Sequence, residues 1–378
     1  MINIHLCNDE KFINIAQERF ETYFPDCNVF IINRASNRNL NYVTFSSKIK
    51  CFDFKKNEVI EYISSISNGK EEINIFVHFL DNYKVGLVNK LRNKVNFKDY
   101  WIFYGADLYN LLHRKGKYEL YDRIGNTFNS KIQRLLRGWY FSLGHFSRDN
   151  EIKRFIRNLD YFCFWNYYDF KLLKDNFKTN AKFKKFNYGA THDLTSFFNG
   201  FKKESKVILV NNSGSASGNH LTMLESLNKN EIKASFSSLI LPLNYGSKKV
   251  IQEVDAYCNE NFKTHYKPLL SFIEKNEYFN LIKNVDVVFF GHLRQEGAGN
   301  INFLLAMGAK IFLRKQNNLL KYYRDLGLIL FSWEEDFKRV EDLKPLSILQ
   351  QRKNREIILE QLSPESFNTI YSNLLQEE

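Results

Sequence analysis

The stretch Val207-Ile208-Leu209-Val210-Asn211-Asn212-Ser213-Gly214-Ser215-Ala216-Ser217-Gly218-Asn219-His220 decides the fold. Val207 to Val210 are four apolar residues in a row and read as a buried strand. Gly214 and Gly218 permit tight turns in the small polar loop, and Leu221, Leu224 and Leu227 then recur at helical spacing. A helix is therefore expected to start near Asn219. Free N–H groups and the positive dipole end at such a start favour phosphate, the dipole alone contributing about 0.3–1 kcal/mol when exposed. The same residues also read as a plain βα turn capped by Ser217 or Asn219.

A second passage of this kind shifts the balance towards anion binding. The strand-like run Val285 to Phe290 leads into Gly291-His292-Leu293-Arg294-Gln295-Glu296-Gly297-Ala298-Gly299-Asn300 and then the apolar helical run Ile301 to Met307. Here the loop adds Arg294, whose planar fork can bond two phosphate oxygens at once. Two such loops separated by other βα units can converge on one diphosphate at the carboxyl edge of a parallel sheet. A nucleotide-linked substrate is the ligand class this implies.

Around these loops the chain alternates strand-like and helix-like segments. Ile2 to Leu6, Val29 to Ile32, Ile73 to Phe79, Tyr100 to Tyr104, Tyr161 to Trp165 and Phe183 to Tyr188 read as strands of a first half. Val207 to Val210, Ser237 to Leu241, Asp286 to Phe290, Lys310 to Leu313 and Leu328 to Phe331 read as strands of a second. The expected architecture is α/β, two Rossmann-like domains facing across a cleft. Residues 1–198 would form the first domain, 199–346 the second, and 347–378 a helical tail. A basic, aromatic insertion over 112–160 interrupts the first. Within it Arg134, Arg137, Trp139, Tyr140 and Phe141 mix cations with amphipathic rings, which suits an anionic membrane surface as well as it suits a core with a solvated face.

Composition narrows the classes. With 378 residues, 44% of them hydrophobic and 25% charged, the chain is long enough for two globular cores. No apolar run reaches the roughly 18–20 residues that span a bilayer, and the start lacks a signal-peptide layout, so a cytoplasmic location is expected. Five cysteines without paired spacing argue against a disulfide framework or a structural zinc site. The net charge of +12 calls for acidic partners. No nucleic-acid-binding module is present, so nucleic acid is not expected to be one of them. A nicotinamide enzyme is disfavoured because the first strand is not followed by G-x-G-x-x-G.

Candidate chemistry falls on few residues. Asp107, in Tyr104-Gly105-Ala106-Asp107-Leu108-Tyr109, sits where a strand hands over to a helix and can serve as a general base or as a helix cap. His78, near the end of the strand Ile73 to Phe79, is the rival base. On the other half, Asn244 and Tyr245 end a strand and can face a sugar or phosphate. No Asp-x-Asp triple is present to hold a divalent cation, so metal-independent chemistry is expected, with helix starts and Arg294 neutralising the diphosphate.

Taken in order, Trp101 to Tyr109, Ile208 to His220, Leu241 to Gly246 and Arg294-Gln295 followed by Gly297 and Gly299 resemble the family 56 glycosyltransferases. These are bacterial TDP-N-acetylfucosamine:lipid II N-acetylfucosaminyltransferases. The resemblance implies a GT-B fold and inverting transfer of an amino-deoxy sugar from a TDP donor to a polyprenyl-diphosphate-linked saccharide. That reaction belongs to the cytoplasmic face of the inner membrane, where a peripheral enzyme assembles enterobacterial common antigen. It further implies that Asn212, Ser213, Gly214, Ser217 and Asn219, with Arg294, Gln295, Gly297 and Gly299, hold the donor diphosphate, that Asn244 and Tyr245 lie near the donor, and that no cofactor is required. The chain departs from the family pattern at Ser215-Ala216-Ser217-Gly218, which replaces a more charged stretch, and at Glu296. The other readings are a GT-B transferase with another nucleotide sugar, serving capsule or O-antigen, and a non-catalytic basic protein that docks on membranes.

Overall fold

A computed structural model describes residues 1–34, 40–122, 146–189, 194–201 and 206–376. The membrane-facing candidates Arg134, Arg137, Trp139, Tyr140 and Phe141 lie outside the described residues. The chain divides into two compact units, one holding residues 1–117, 146–189 and 367–376, the other 118–122, 194–201 and 206–366.

The first unit is a seven-stranded parallel sheet in the order β3-β2-β1-β4-β5-β6-β7. Its strands are β1 (Ile2–Cys7), β2 (Asn28–Asn33), β3 (Ile49–Phe52), β4 (Ile73–His78), β5 (Lys98–Ile102), β6 (Tyr161–Phe164) and β7 (Lys182–Lys185). Helices follow β1 (Phe12–Tyr23), β4 (Asn82–Leu91) and β5 (Ala106–Arg114), as βαβ chirality requires of a parallel sheet. Register at the centre is pinned by buried amides: Asn3 donates to Asn28 at 3.0 Å and Asn74 donates to Asn3 at 3.1 Å. One step along β1, His5 stacks between Phe30 and Phe76.

The second unit repeats the plan with six parallel strands ordered β10-β9-β8-β11-β12-β13. They are β8 (Val207–Val210), β9 (Ser238–Pro242), β10 (Tyr266–Leu269), β11 (Val287–Phe290), β12 (Lys310–Leu313) and β13 (Phe331–Ser332). Ile208, Val210, Leu239, Leu241, Phe289 and Phe312 close its core with Leu224 from the helix His220–Leu227. In both sheets the strand order reverses beside the first strand, between β1 and β4 and between β8 and β11. Ligands of open parallel sheets bind at the carboxyl side of that reversal.

Both strands absent from the sequence reading, β3 and β10, are outermost. An edge strand is half solvated, so IKCF and YKPL carry lysines and even a proline, and no continuous apolar run marks them. The expected boundary at 198/199 falls at 189/190 instead. Nor is 347–378 a separate tail. The helix Ile348–Gln361 bonds to the second unit through Asn354 and Arg355. The end of the helix Pro364–Ser372 packs on the first unit, where Tyr371 stacks on Tyr23.

Candidate functional site

The two loops singled out by sequence are the two that leave β8 and β11, so they flank the switch point of the second sheet. Asn211 ties them together. It takes a left-handed φ of 57°, which asparagine tolerates, donates from Nδ2 to the Gly218 carbonyl at 2.8 Å and accepts the Gly291 N–H at 2.8 Å. Asn219, also left-handed at φ 48°, opens the helix His220–Leu227 and donates to the Gly291 carbonyl at 2.9 Å. It also accepts the Asp122 N–H at 2.8 Å, which makes it a strap within the unit. His220 reaches the Ser213 carbonyl at 2.9 Å, and burial pushes its imidazole down to about 4.

The glycines serve close approach more than turning. A Cβ on Gly214 would lie 2.4 Å from Ile251, and one on Gly218 would lie 2.5 Å from His220. The loop after β9 docks alongside: the Gly214 N–H donates to the Tyr245 carbonyl at 2.8 Å, and a Cβ on Gly246 would fall 2.3 Å from the Gly214 backbone. Gly297 does need its freedom, with φ 73° at the start of the helix Ala298–Ala306. Gly299 needs none, because nothing lies within 4 Å of a Cβ placed there.

Glu296 is the electrostatic centre of this edge. It accepts from Ser217 Oγ at 2.7 Å and Ser215 Oγ at 3.2 Å, pairs with Arg294 at 2.8 Å, and lies 3.5 Å from His292. Burial opposes its charge, yet His292 and Arg294 hold the carboxyl well below the usual range. The two departures from the family pattern, the serine pair and Glu296, are therefore one interaction. Arg294 is not a free phosphate fork: one end of it is on Glu296, while its Nε is buried without a partner. Asn212 donates to the Tyr245 hydroxyl at 3.3 Å and keeps a buried Oδ1 unpartnered. Tyr245 itself is 56% exposed. Ser213 is buried and accepts the Ser215 N–H at 3.3 Å, while Asn244 and Gln295 are half-buried. A depression of about 400 Å³ flanks Leu293, but both cations in its wall are already paired, Arg314 with Asp122 and Glu334 and Lys315 with Glu335.

In the first unit both candidate bases are buried and hydrogen-bonded. Asp107 is buried in the first turn of its helix, accepting from Trp101 Nε1 at 2.8 Å, Leu80 N–H at 3.1 Å and Tyr104 N–H at 3.4 Å. Burial raises its carboxyl to about 6 against these bonds. Its oxygens are spent on stapling β4 to β5. His78 is fully buried, with Nε2 3.0 Å from His5 Nδ1 and Nδ1 2.5 Å from the Tyr188 hydroxyl. Burial, then His5 and Lys84, keep it neutral far below its usual range. Sequence reasoning passed over Glu10, three residues beyond β1. A carboxylate just past the first strand at the sheet's switch point was the signal that could have found it. Burial, opposed by Lys84 and the Tyr104 hydroxyl and aided by Asp107 and Asp81, lifts Glu10 to about 7. Among the described residues no group of three His, Cys, Asp or Glu side chains is placed to hold a metal ion, and no helix is long and apolar enough to cross a membrane.

Two parallel sheets of Rossmann order, the second carrying a glycine-packed double loop at its switch point, make up a GT-B fold. Solved structures agree on the fold. Sucrose-phosphate synthase from Thermosynechococcus elongatus is 9% identical, with a TM-score of 0.64 over 99% of this chain and 98% of that one. A UDP-forming alpha,alpha-trehalose-phosphate synthase from Burkholderia xenovorans is 10% identical, with a TM-score of 0.61 over 99% of both chains. A glycosyltransferase from Rickettsia africae is 10% identical, with a TM-score of 0.58 over 100% of this chain and 99% of that one. The model of glycosyl transferase group 56, described as 4-alpha-L-fucosyltransferase, matches residues 10–344, and the chain belongs to that family. No curated protein matches the chain by sequence.

Proposed function

We propose that this family 56 transferase moves an amino-deoxy sugar of the N-acetylfucosamine type from a TDP donor to a polyprenyl-diphosphate-linked saccharide, with inversion and without a metal. The observation that carries the donor half is the pair of switch-point loops. Asn212, Ser213, Gly214, Ser217 and Asn219 stand on one loop, Arg294, Gln295 and Gly297 on the other with Gly299 in the helical turn that follows, and Asn211 bonds the two into one cradle. Unpartnered Asn212 Oδ1 and Arg294 Nε supply polar atoms for a ligand. Tyr245 and Asn244 border the donor. Metal independence rests on Arg294 and two helix starts neutralising the diphosphate.

In the reaction the acceptor hydroxyl oxygen bonds to the anomeric carbon as the bond from that carbon to the phosphate oxygen breaks. TDP leaves with the electron pair, stabilised by preorganised N–H groups and Arg294. The place proposed for this chemistry is the cytoplasmic face of a bacterial inner membrane. The net charge of +12 favours an anionic surface there, with an enterobacterial common antigen-like polysaccharide as the product.

The test is the thermal midpoint with TDP, UDP, GDP or NAD at millimolar concentration, with and without EDTA. Selective stabilisation by TDP that EDTA does not remove is expected, and Arg294→Ala should abolish most of it. Stabilisation by UDP or GDP in its place discards the fucosamine donor, and loss of the shift in EDTA discards metal independence.

A further inference from the structure

Four carboxylates crowd the carboxyl edge of the first sheet, and three are fully employed in holding loops. Asp9 accepts backbone N–H groups of Asn41, Tyr42 and Val43 at 2.6, 3.0 and 3.1 Å and pairs with Arg34. Asp81 caps the helix Asn82–Leu91 through the N–H groups of Tyr83 and Lys84, and takes the Lys84 ammonium at 2.8 Å. Asp107 is the staple already described. Glu10 differs: its Oε1 is buried and has no hydrogen-bond partner, although the residue as a whole is only half-buried. A buried acceptor left without a donor costs roughly 1–3 kcal/mol, a cost that a ligand hydroxyl donating to it would remove.

We propose that Glu10 is the general base of the transfer, taking the proton of the acceptor hydroxyl, with Tyr104 as the residue that positions its carboxylate. This rests on the inverting reading above, in which one group must accept that proton. Position agrees, because Glu10 follows β1 at the switch point. Two residues on, Phe12 meets Tyr104 edge to face at 5.5 Å and stacks on Tyr188 at 5.8 Å. The Tyr104 hydroxyl, which stabilises the Glu10 charge, is 2.9 Å from the Tyr188 hydroxyl, which in turn meets His78 Nδ1 at 2.5 Å. His78 ends on His5, and burial pushes that ring down to about 3. The chain Tyr104–Tyr188–His78–His5 is thus neutral. It fixes the hydroxyl of Tyr104 without adding a cation.

Charge tuning completes the case. Burial raises the Glu10 carboxyl to about 7, Lys84 and Tyr104 pull it back, Asp107 and Asp81 push it further, and Cys7 and Tyr188 are the other titratable groups facing it. A base with that value is ionised in part at neutral pH and still basic enough to take a hydroxyl proton in the transition state. As the new glycosidic bond forms, the hydroxyl proton passes to Glu10. The partly exposed carboxylic acid then returns it to water before the next turnover.

The experiment compares wild type with Glu10→Gln, Glu10→Asp and Tyr104→Phe, using TDP-N-acetylfucosamine and a synthetic polyprenyl-diphosphate disaccharide. Glu10→Gln is expected to lower kcat by about 10³-fold, with its thermal shift in TDP unchanged and Glu10→Asp retaining part of the rate. In wild type kcat/KM should fall on the acid side of about pH 7. Tyr104→Phe should move that limb to higher pH, and the residual activity of Glu10→Gln should lack it. A Glu10→Gln variant that keeps more than about a tenth of kcat, or that keeps the limb, overturns the assignment. If wild type does not turn over this pair, the donor and acceptor reading fails by itself. Glu10 is then judged without substrate: the midpoint of wild type should drop relative to Glu10→Gln as pH rises from about 4.5 to about 7, and coincident curves overturn it.

Discussion

The two switch points of this molecule have the same topology and opposite materials. Beside β8 the loop is glycine, serine and asparagine, beside β11 it runs from Gly291 to Gly297 around Arg294 and Glu296, and both are packed so closely that a methyl group on Gly214, Gly218 or Gly291 would collide. Beside β1 and β4 they are Asp9, Glu10, Asp81 and Lys84 with aromatic neighbours, and no glycine at all. Each edge holds one conspicuous glutamate, and the two are tuned in opposite senses. Glu296 is surrounded by two hydroxyls, a guanidinium and an imidazole and is kept ionised, whereas Glu10 has a bare buried oxygen and is kept near its point of protonation. Parallel topology delivers loops to one edge. What each edge offers a ligand, close-packed polar backbone at one and a carboxyl near its point of protonation at the other, is decided by loop composition.

The largest effect should come from breaking the close-packed edge. Gly246→Ala places a Cβ 2.3 Å from the Gly214 carbonyl group at a φ of 135°, a conformation that L residues rarely adopt. Backbone cannot yield as a side-chain tip can, so a loss of roughly 3–5 kcal/mol is expected, together with loss of the TDP-dependent thermal shift. A midpoint within about 2 °C of wild type would show that the β8 and β9 loops are not locked to each other.

The pair of glutamates sharpens the comparison through pH. Glu296 is depressed in the folded state, so its stabilisation is present above the ordinary glutamate range and is lost as pH falls. Glu296→Gln should cost roughly 1–3 kcal/mol at pH 7, with the gap to wild type narrowing below about pH 5. Glu10 is raised from 4.5 to about 7, so the folded state keeps a proton that the unfolded chain gives up, and stability falls as pH rises across that window. Glu10→Gln should match wild type near pH 4 and exceed it by up to about 3 kcal/mol above pH 8. Denaturant melts of both variants across pH check the signs. Curves shifting in the same direction would dissolve the contrast between the two edges.

The legibility of the chain follows the same division. Buried central strands are continuous apolar runs, so β1, β4, β8, β11 and β12 could be read within a residue or two, and with them the loops they deliver. Edge strands β3 and β10 could not, because they need only one buried face. The loop residues of the second unit were legible as types but not as partners. Nothing in the order Arg294-Gln295-Glu296 says that the arginine turns back on the glutamate, or that Ser215 and Ser217 reach across from another loop. In the first unit Asp107 and His78 drew attention by residue type and position. Only burial and bonding show that their polar atoms are already spent, and that Glu10 has one to spare.

The smallest predicted effect separates what a glycine's N–H does from what its missing side chain does. Gly299 lies in the first turn of the helix Ala298–Ala306, has helical rather than left-handed backbone, and faces open space where a Cβ would stand. Its contribution to an anion site can only be its N–H, which alanine retains. Gly299→Ala should therefore raise stability by about 0.5–1 kcal/mol, because the unfolded chain loses freedom that the helix never used, and should leave the TDP shift as it was. A weakened TDP shift would mean that the ligand presses against this turn closely enough to need the missing methyl, which would move the diphosphate onto the start of this helix and away from the Ser213–Asn219 loop.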